Sequence, residues 1–344
     1  MRICISLLTA SLMLAWNAVP AQEPAAPSVV VRNTRDPVDK SYRKMLKGIA
    51  RFEHAQALAP GATLRFRLLP RTATVEMQSI ELKVVGDSTS MPVKIAPDNS
   101  FTLTYNDTLQ REDAALIANR KTSSMTWRAE VRSPGVPEGM RRLGDLRLEC
   151  LVGMDAGLVS NNSQLFAWLG ELFTSTDRVC SDPEGNYLFF TERPVFSVTA
   201  TSGERREVLP FRMTYAGGGP PASELPYCDC QVLLDRSYYA PIWDRSWSDD
   251  TLLSFEYMDD PPEPDVQPPT REAARAALGQ PLKELRFDKG YQVWLYEWQP
   301  EHKLPPGPDQ RPQMAEQVLL FGPDGATRRI RHREPAQQPV RPVN

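Results

Sequence analysis

Cysteine is the residue type with the most specific chemistry in this chain. Cys4 lies in an apolar N-terminal stretch, and Cys150, Cys180, Cys228 and Cys230 follow it. Four cysteines in an oxidising compartment are typical of two disulfides, for which three pairings are possible. A bridge between Cys228 and Cys230 would span one residue and be strained. We therefore expect each of these two to pair with one of Cys150 and Cys180.

The same Cys-x-Cys spacing has an alternative interpretation as a thiol redox or copper site. Paired thiolates select soft metals such as Cu(I). A metal site would gain from nearby histidines, but the chain has only His54, His302 and His332, and none lies near Cys228 in the sequence. Structural disulfides are therefore favoured, and we expect no metal and no cofactor.

Motifs for catalysis are absent from the sequence. Nucleophilic catalysis needs a base beside the nucleophile, usually a histidine, and no histidine adjoins a plausible serine or cysteine motif. There is no G-x-S-x-G, P-loop, dinucleotide fingerprint or HExxH. Carboxylates such as Asp249, Asp250 and Glu256 could form a glycosidase pair. A periplasmic hydrolase of cell-wall material is therefore the alternative to a non-catalytic protein.

Aromatic side chains are concentrated in segment 235–250, DRSYYAPIWDRSWSDD. Tyr238, Tyr239, Trp243 and Trp247 alternate there with aspartate and arginine. Exposed aromatics flanked by charges can stack on sugars or anchor a protein partner, so these four residues are candidates for partner binding. The alternative is a long connection whose aromatics fold back onto the sheet.

The first 21 residues have the pattern of a secretory signal peptide. Arg2 supplies a positive start, residues 3–16 are apolar, and small residues precede a cleavage position after Ala21. The apolar run is too short for a stable membrane anchor, and no cysteine follows it at a lipidation position. The abundance of Ala, Arg, Pro and Leu is typical of a bacterial source. We expect a periplasmic protein, neither lipidated nor transmembrane after cleavage, with a flexible mature start at 22–35.

Net charge limits the classes of partner. The formal charge is −3 over 344 residues, whereas a nucleic-acid binder would show a basic surplus. We therefore expect no nucleic acid and propose envelope proteins or cell-wall material as partners.

Residues 36–258 have the pattern of a β-rich body with one surface helix. Residues 41–58 place apolar side chains on one helical face. From residue 63 the period changes to two, with short strands and turn signals every 8–12 residues, which is typical of a β-sandwich-like unit. Residues 143–152 continue this pattern and predict a strand. The expected fold class is mainly β with α+β elements.

A proline-rich acidic run, 259–269, separates this body from a smaller C-terminal part. Prolines favour an extended spacer, so we expect a linker between separately folded parts. Residues 270–333 then predict a short helix capped by Thr270 and ended by Gly279, followed by a small antiparallel sheet. Three aromatics of the predicted second strand share one face and are further candidates for partner binding: Trp294, Tyr296 and Trp298. A disordered tail is expected at 334–344.

The C-terminal part resembles the SmpA/BamE-like envelope domain. The resemblance rests on TREAARAALGQP, LRFDKGYQVWLYEW and VLLFGPDGATRRI, and covers Thr270 to Arg331. It implies a periplasmic binding or assembly module and implies no catalysis. The chain departs from the family by an insertion at 299–314 and by lacking a lipidated cysteine. The sequence therefore predicts a non-catalytic envelope protein that binds or assembles through its β-rich surfaces.

Overall fold

The computed structural model describes residues 40–70, 75–120, 124–158, 176–183, 187–218, 233–298 and 314–334. Outside these residues lie the predicted signal peptide (1–21), the expected flexible start (22–35) and all of the predicted tail (334–344) except Glu334. Cys228 and Cys230 also lie outside them.

The described chain is mainly β with a few helices, so the predicted fold class is confirmed. The helices are α1 Tyr42–His54, α2 Asp107–Arg111, α3 Leu143–Asp155, α4 Thr176–Ser181 and α5 Arg271–Leu278. The strands are β1 Lys40–Ser41, β2 Thr63–Pro70, β3 Leu82–Val85, β4 Ser90–Val93, β5 Ser100–Phe101, β6 Ala115–Ala118, β7 Met125–Arg132, β8 Arg141–Arg142, β9 Phe189–Phe190, β10 Val195–Ser202, β11 Arg205–Val208, β12 Ser237–Tyr238, β13 Leu252–Tyr257, β14 Lys283–Arg286, β15 Gln292–Trp298, β16 Ala315–Phe321 and β17 Thr327–Arg333.

Antiparallel pairing joins these strands into sheets. Within the described residues the sheets are β1–β6–β3–β4, β5–β2–β7, β11–β10–β13–β8, β12–β9 and β14–β15–β16–β17. In the β2–β7 pair, Thr63 lies opposite Arg132 and Pro70 opposite Met125. Alternate residues of both strands, such as Phe66 and Ala129, are buried. The side chains at the intervening positions of each strand therefore lie on the opposite face of this sheet.

Helix α1 confirms the predicted surface helix. Ser41 caps it by accepting a hydrogen bond from the Lys44 backbone N–H at 3.3 Å, and Tyr42 and Met45 are fully buried. A Cβ at Gly48 would lie 2.7 Å from the Cβ of Ala156, just past the end of α3. The small residue thus lets α1 and the end of α3 approach closely.

Helix α3 replaces the strand predicted for residues 143–152, so that prediction was wrong. Its sequence alternates apolar and charged residues, which imitates the period of a strand. Residues 143–150 of the helix are instead buried on all sides, and their charged members Asp145, Arg147 and Glu149 are at most 6% exposed. Each of them meets a polar or charged partner, so no polar face is needed.

The C-terminal helix and sheet form as predicted but share the core of the body. Thr270 caps α5 by accepting from the Ala273 backbone N–H, and α5 packs on the face of the sheet that carries Trp294 and Phe321. The opposite face adds three apolar residues to the large core of the body: Val293, Leu295 and Leu320.

Segment 259–269 lies along the edge strand β17 and is not a free spacer, which corrects the predicted linker. The Glu263 backbone N–H donates to the Arg328 carbonyl at 3.0 Å, and the Thr327 N–H donates to the Pro269 carbonyl at 2.9 Å. Exposed edge strands risk unwanted pairing, and this segment covers one. All described residues belong to one compact unit, Pro37–Asn344.

An ion-pair cluster holds this segment in place. Glu263 accepts hydrogen bonds from the Arg331 guanidinium and lies 3.4 Å from Arg329, while Arg331 also binds Glu256 of β13. The hydrogen bond from Arg331 lowers the pKa of Glu263. The cluster therefore joins β13, the 259–269 segment and β17.

Replacing Glu263 with glutamine is expected to lower the free energy of unfolding by up to about 1 kcal/mol at neutral pH. Because the folded pKa is lowered, the stabilisation is complete above the unfolded pKa, about 4.3, and is lost as the pH falls through the folded pKa. Urea unfolding of both proteins at pH 7 and pH 3.5 should show the difference shrinking. Glu53→Gln, on an exposed site of α1, is the control; an equal difference at both pH values would contradict the role of charge.

Candidate functional site

The predicted aromatic binding residues are largely part of the core. Tyr238, Trp247 and Trp294 are at most 3% exposed, which corrects their assignment as partner-binding residues. Burying these large rings stabilises the fold, so they pack inside it and are not presented to a partner. Their partly or wholly solvent-accessible companions are the half-buried Tyr239, Trp243 and Tyr296 and the exposed Trp298.

Segment 235–250 is held against α3 by Arg147. Its guanidinium donates to the carbonyls of Ile242, Asp244 and Trp247 and to the Asp249 carboxylate. Arg205 covers the Trp247 ring at 3.5 Å. The segment is therefore the folded-back connection, the alternative that the sequence left open.

The disulfide joins Cys150 to Cys180, with their Cα atoms 5.9 Å apart. The expected pairing of these two cysteines with Cys228 and Cys230 was therefore wrong. Cys150 lies on α3 and Cys180 on the neighbouring α4, a proximity that the predicted strand at 143–152 could not reveal. The bond links two helices within the large core of the body.

A cleft of about 830 Å³ lies between the β2–β7 face and strands β9, β12 and β13. Its size lies in the range of small-molecule binding sites. Six arginines line it: Arg65, Arg67, Arg128, Arg132, Arg141 and Arg236. Five carboxylates also line it: Asp98, Glu130, Glu138, Glu149 and Glu192.

The first wall of the cleft is the outward face of the β2–β7 pair. Register places Arg67 opposite Arg128 and Arg65 opposite Glu130. Like charges directly opposite each other destabilise a sheet. The arrangement is tolerated because Glu130 lies 3.1 Å from Arg67 and because Arg128 lies over the Phe190 ring, 4.8 Å from its centroid.

Most carboxylates of the cleft are already bound to arginine. Arg67 pairs with Asp98 at 3.1 Å and with Glu192 at 3.2 Å, and Arg132 pairs with Glu130 at 2.8 Å. Hydrogen bonds from Ser100 are the main cause of a lowered pKa at Asp98. Asp98, Glu130 and Glu192 are thus occupied by arginine.

Two arginines of the cleft, Arg65 and Arg236, by contrast keep hydrogen-bond donors to spare. Each guanidinium carries five N–H groups and no acceptor. Arg65 donates through Nε to the Ser100 hydroxyl at 2.7 Å and makes no ion pair with any described residue. Among the described residues, Arg236 has one acidic partner, Asp235 at 4.0 Å. The cleft therefore presents an excess of donors, which suits a ligand with several acceptor oxygens.

The inner end of the cleft contains a buried ion pair. Arg141 and Glu149 are 7% and 6% exposed, and Arg141 Nη2 donates to Glu149 Oε2 at 2.6 Å. The same oxygen accepts from the Val131 backbone N–H at 3.1 Å, while Arg141 donates to the Val131 carbonyl at 3.4 Å. The pair thus takes the place of a neighbouring strand at the edge of β7.

Titration at this inner end is shaped by burial. Burial raises the pKa of Glu149, and Arg141 opposes that rise. Burial also raises the pKa of Tyr238, whose hydroxyl has no hydrogen-bond partner among the described residues. Glu149 is committed to structure and is a poor candidate for an acid or base in catalysis.

The second wall is aromatic. Phe255 and Tyr257 are two residues apart on β13, so they share a face, and their rings are nearly parallel, with an interplanar angle of 22° and centroids 6.4 Å apart. Both line the cleft. Arg193 lies over the Tyr257 ring at 4.3 Å but is outside the cleft lining. We call these two half-buried rings the aromatic plate.

Groups for nucleophilic or metal chemistry are not assembled in the described part of the chain. His54 and His332 are exposed, and the described residues that line the cleft include neither histidine nor cysteine. No group of three His, Cys, Asp or Glu is placed to hold a metal among these residues. The chemistry that the cleft offers is recognition by hydrogen bonds, charge and ring contacts.

Sequence reasoning missed this cleft. In the sequence, Arg65 and Arg67 are merely the polar positions of an alternating strand, and Arg128 and Arg132 lie over 60 residues away. The signal in the sequence was the presence of two strand-like segments that each carry arginines at alternate positions, and therefore on one face.

Comparison with family models, with curated proteins and with solved structures finds no match for this chain. Among the described helices, none combines the length and apolar character that crossing a membrane requires.

Proposed function

We propose that this protein is a non-catalytic binding protein of the bacterial cell envelope, and that its cleft binds a ligand carrying several oxyanions. The observation that carries this proposal is the excess of guanidinium donors over free carboxylates in the cleft. Arginine is suited to such recognition because its planar fork matches carboxylate and phosphate groups.

A periplasmic location is part of this proposal. It is supported by the signal-peptide pattern of residues 1–21 and by the Cys150–Cys180 disulfide, since disulfides persist mainly in oxidising compartments. The resemblance of residues 270–331 to the SmpA/BamE-like domain supports an envelope role. The order of α5 before an antiparallel sheet is consistent with that resemblance.

Replacing Arg65 with glutamine is expected to weaken binding of an oxyanion probe by about tenfold, the effect of losing one charge-assisted hydrogen bond. Arg65 is the most suitable position because its loss breaks no ion pair with any described residue. Calorimetric titration with oligogalacturonate and with poly-L-glutamate measures the effect. Higher salt should weaken binding to both probes.

Arg206→Gln is the matched control, because Arg206 is an exposed strand arginine outside the cleft. It should leave binding of both probes unchanged. Failure of the wild-type protein to bind either probe, or equal loss in both variants, would contradict the proposed site.

A further inference from the structure

The cleft has two chemically different walls that face one ligand space. Arginines of β2 and β7 supply one wall, and the Phe255–Tyr257 plate supplies part of the other. A purely anionic chain would use the first wall and leave the aromatic plate without a role. The complementary ligand therefore carries oxyanions on one side and a broad, weakly polar face on the other.

A sugar ring with an acidic substituent has this combination. The C–H groups on the face of a pyranose carry slight positive charge and meet the negative face of an aromatic ring. A carboxylate or phosphate on the same ring meets the guanidinium groups. Phe255 and Tyr257 both line the cleft and offer two rings for such a contact.

We propose that the cleft recognises an acidic saccharide, whose ring lies on Phe255 and Tyr257 while its oxyanion binds Arg65 of β2. This inference rests on the proposed function and narrows it to a ligand class. A simple polyanion would bind only to the arginines of the first wall, and a neutral sugar would contact only the aromatic plate.

The plate is tested by Tyr257→Leu, which removes the ring but keeps apolar volume. Oligogalacturonate affinity is expected to fall about 3- to 10-fold, the range for one lost ring contact, whereas poly-L-glutamate affinity should be unchanged. Tyr257→Phe keeps the ring and should stay within about twofold of the wild type. Tyr105→Leu, at an exposed tyrosine outside the cleft lining, should also leave binding unchanged.

The ligand class is tested by comparing probes on the wild-type protein. Oligogalacturonate or a phosphorylated mannan should bind at least about tenfold more tightly than neutral dextran and than poly-L-glutamate of matched charge. Preference for the carboxylated or for the phosphorylated sugar identifies the oxyanion, and either supports the proposal. Equal affinity for poly-L-glutamate and oligogalacturonate, or no effect of Tyr257→Leu, overturns the saccharide inference but leaves the proposed function. Binding of none of the anionic probes overturns both.

Discussion

Replacing Arg141 with methionine is expected to lower the free energy of unfolding by about 3–5 kcal/mol, because it leaves the Glu149 carboxylate buried without its charge partner. Both side chains are at most 7% exposed, so water cannot take the place of the guanidinium. The variant also removes the donor that satisfies the Val131 carbonyl. Urea unfolding followed by tryptophan fluorescence measures the loss, with an unchanged dependence on urea concentration.

Arg132→Met is the matched control, since Arg132 belongs to the same cleft but its ion pair with Glu130 is 43% exposed on the arginine side. It should cost less than about 1 kcal/mol. The double variant Arg141→Met/Glu149→Met should recover part of the loss because no charge stays buried, but not all of it. The Val131 N–H and carbonyl would remain unpaired at about 1–3 kcal/mol each. Equal effects of Arg141→Met and Arg132→Met would contradict the role of the buried pair.

Elements with one exposed and one buried face could be predicted from the sequence. In α1, Tyr42 and Met45 repeat at helical spacing with charged residues between them, and the helix forms where this pattern lies. The cap at Thr270 and the positive φ of Gly279 likewise bound α5. In these elements local preference and tertiary burial agree.

Helix α3 could not be predicted because it has no polar face. Asp145, Arg147 and Glu149 alternate with apolar residues in the sequence, and their charges are satisfied only by partners elsewhere in the fold. The prediction of a free linker at 259–269 was wrong for the same reason. Its acidity indicated solvent exposure, but Glu263 is matched by arginines of β17 more than 60 residues later.

The cleft depends on strand register, which no local pattern specifies. Arg67 and Arg128 become neighbours only when β2 pairs with β7 in the observed register, and a shift by one residue would move one set of arginines into the core. For the aromatic segment 235–250, the local pattern predicted exposure where the fold buries the rings. Tyr238 and Trp247 look exposed beside aspartate and arginine, but both rings are buried, and Asp249 of the same segment pairs with Arg147 of α3.

Removing the disulfide is expected to lower the free energy of unfolding by about 3–4 kcal/mol, the chain-entropy value for a loop of the 30-residue separation between Cys150 and Cys180. The double variant Cys150→Ala/Cys180→Ala is preferable to serine, because both sites are at most 6% exposed and an unpaired hydroxyl there would add its own cost. Urea unfolding without reductant measures the effect.

Cys228→Ala/Cys230→Ala is the control, and genetic removal is preferable to a reductant because a reductant acts on all cysteines at once. Protein made without residues 1–21 in a reducing cytosol should match the stability of Cys150→Ala/Cys180→Ala and should recover on oxidation. A loss below about 1 kcal/mol would contradict the expected loop-closure effect.

Because Cys150 follows Glu149 on α3, the disulfide and the ion pair hold the same helix beneath the inner end of the cleft. The two losses should therefore combine non-additively, whereas Arg65→Gln, on the first wall of the cleft, should leave stability nearly unchanged.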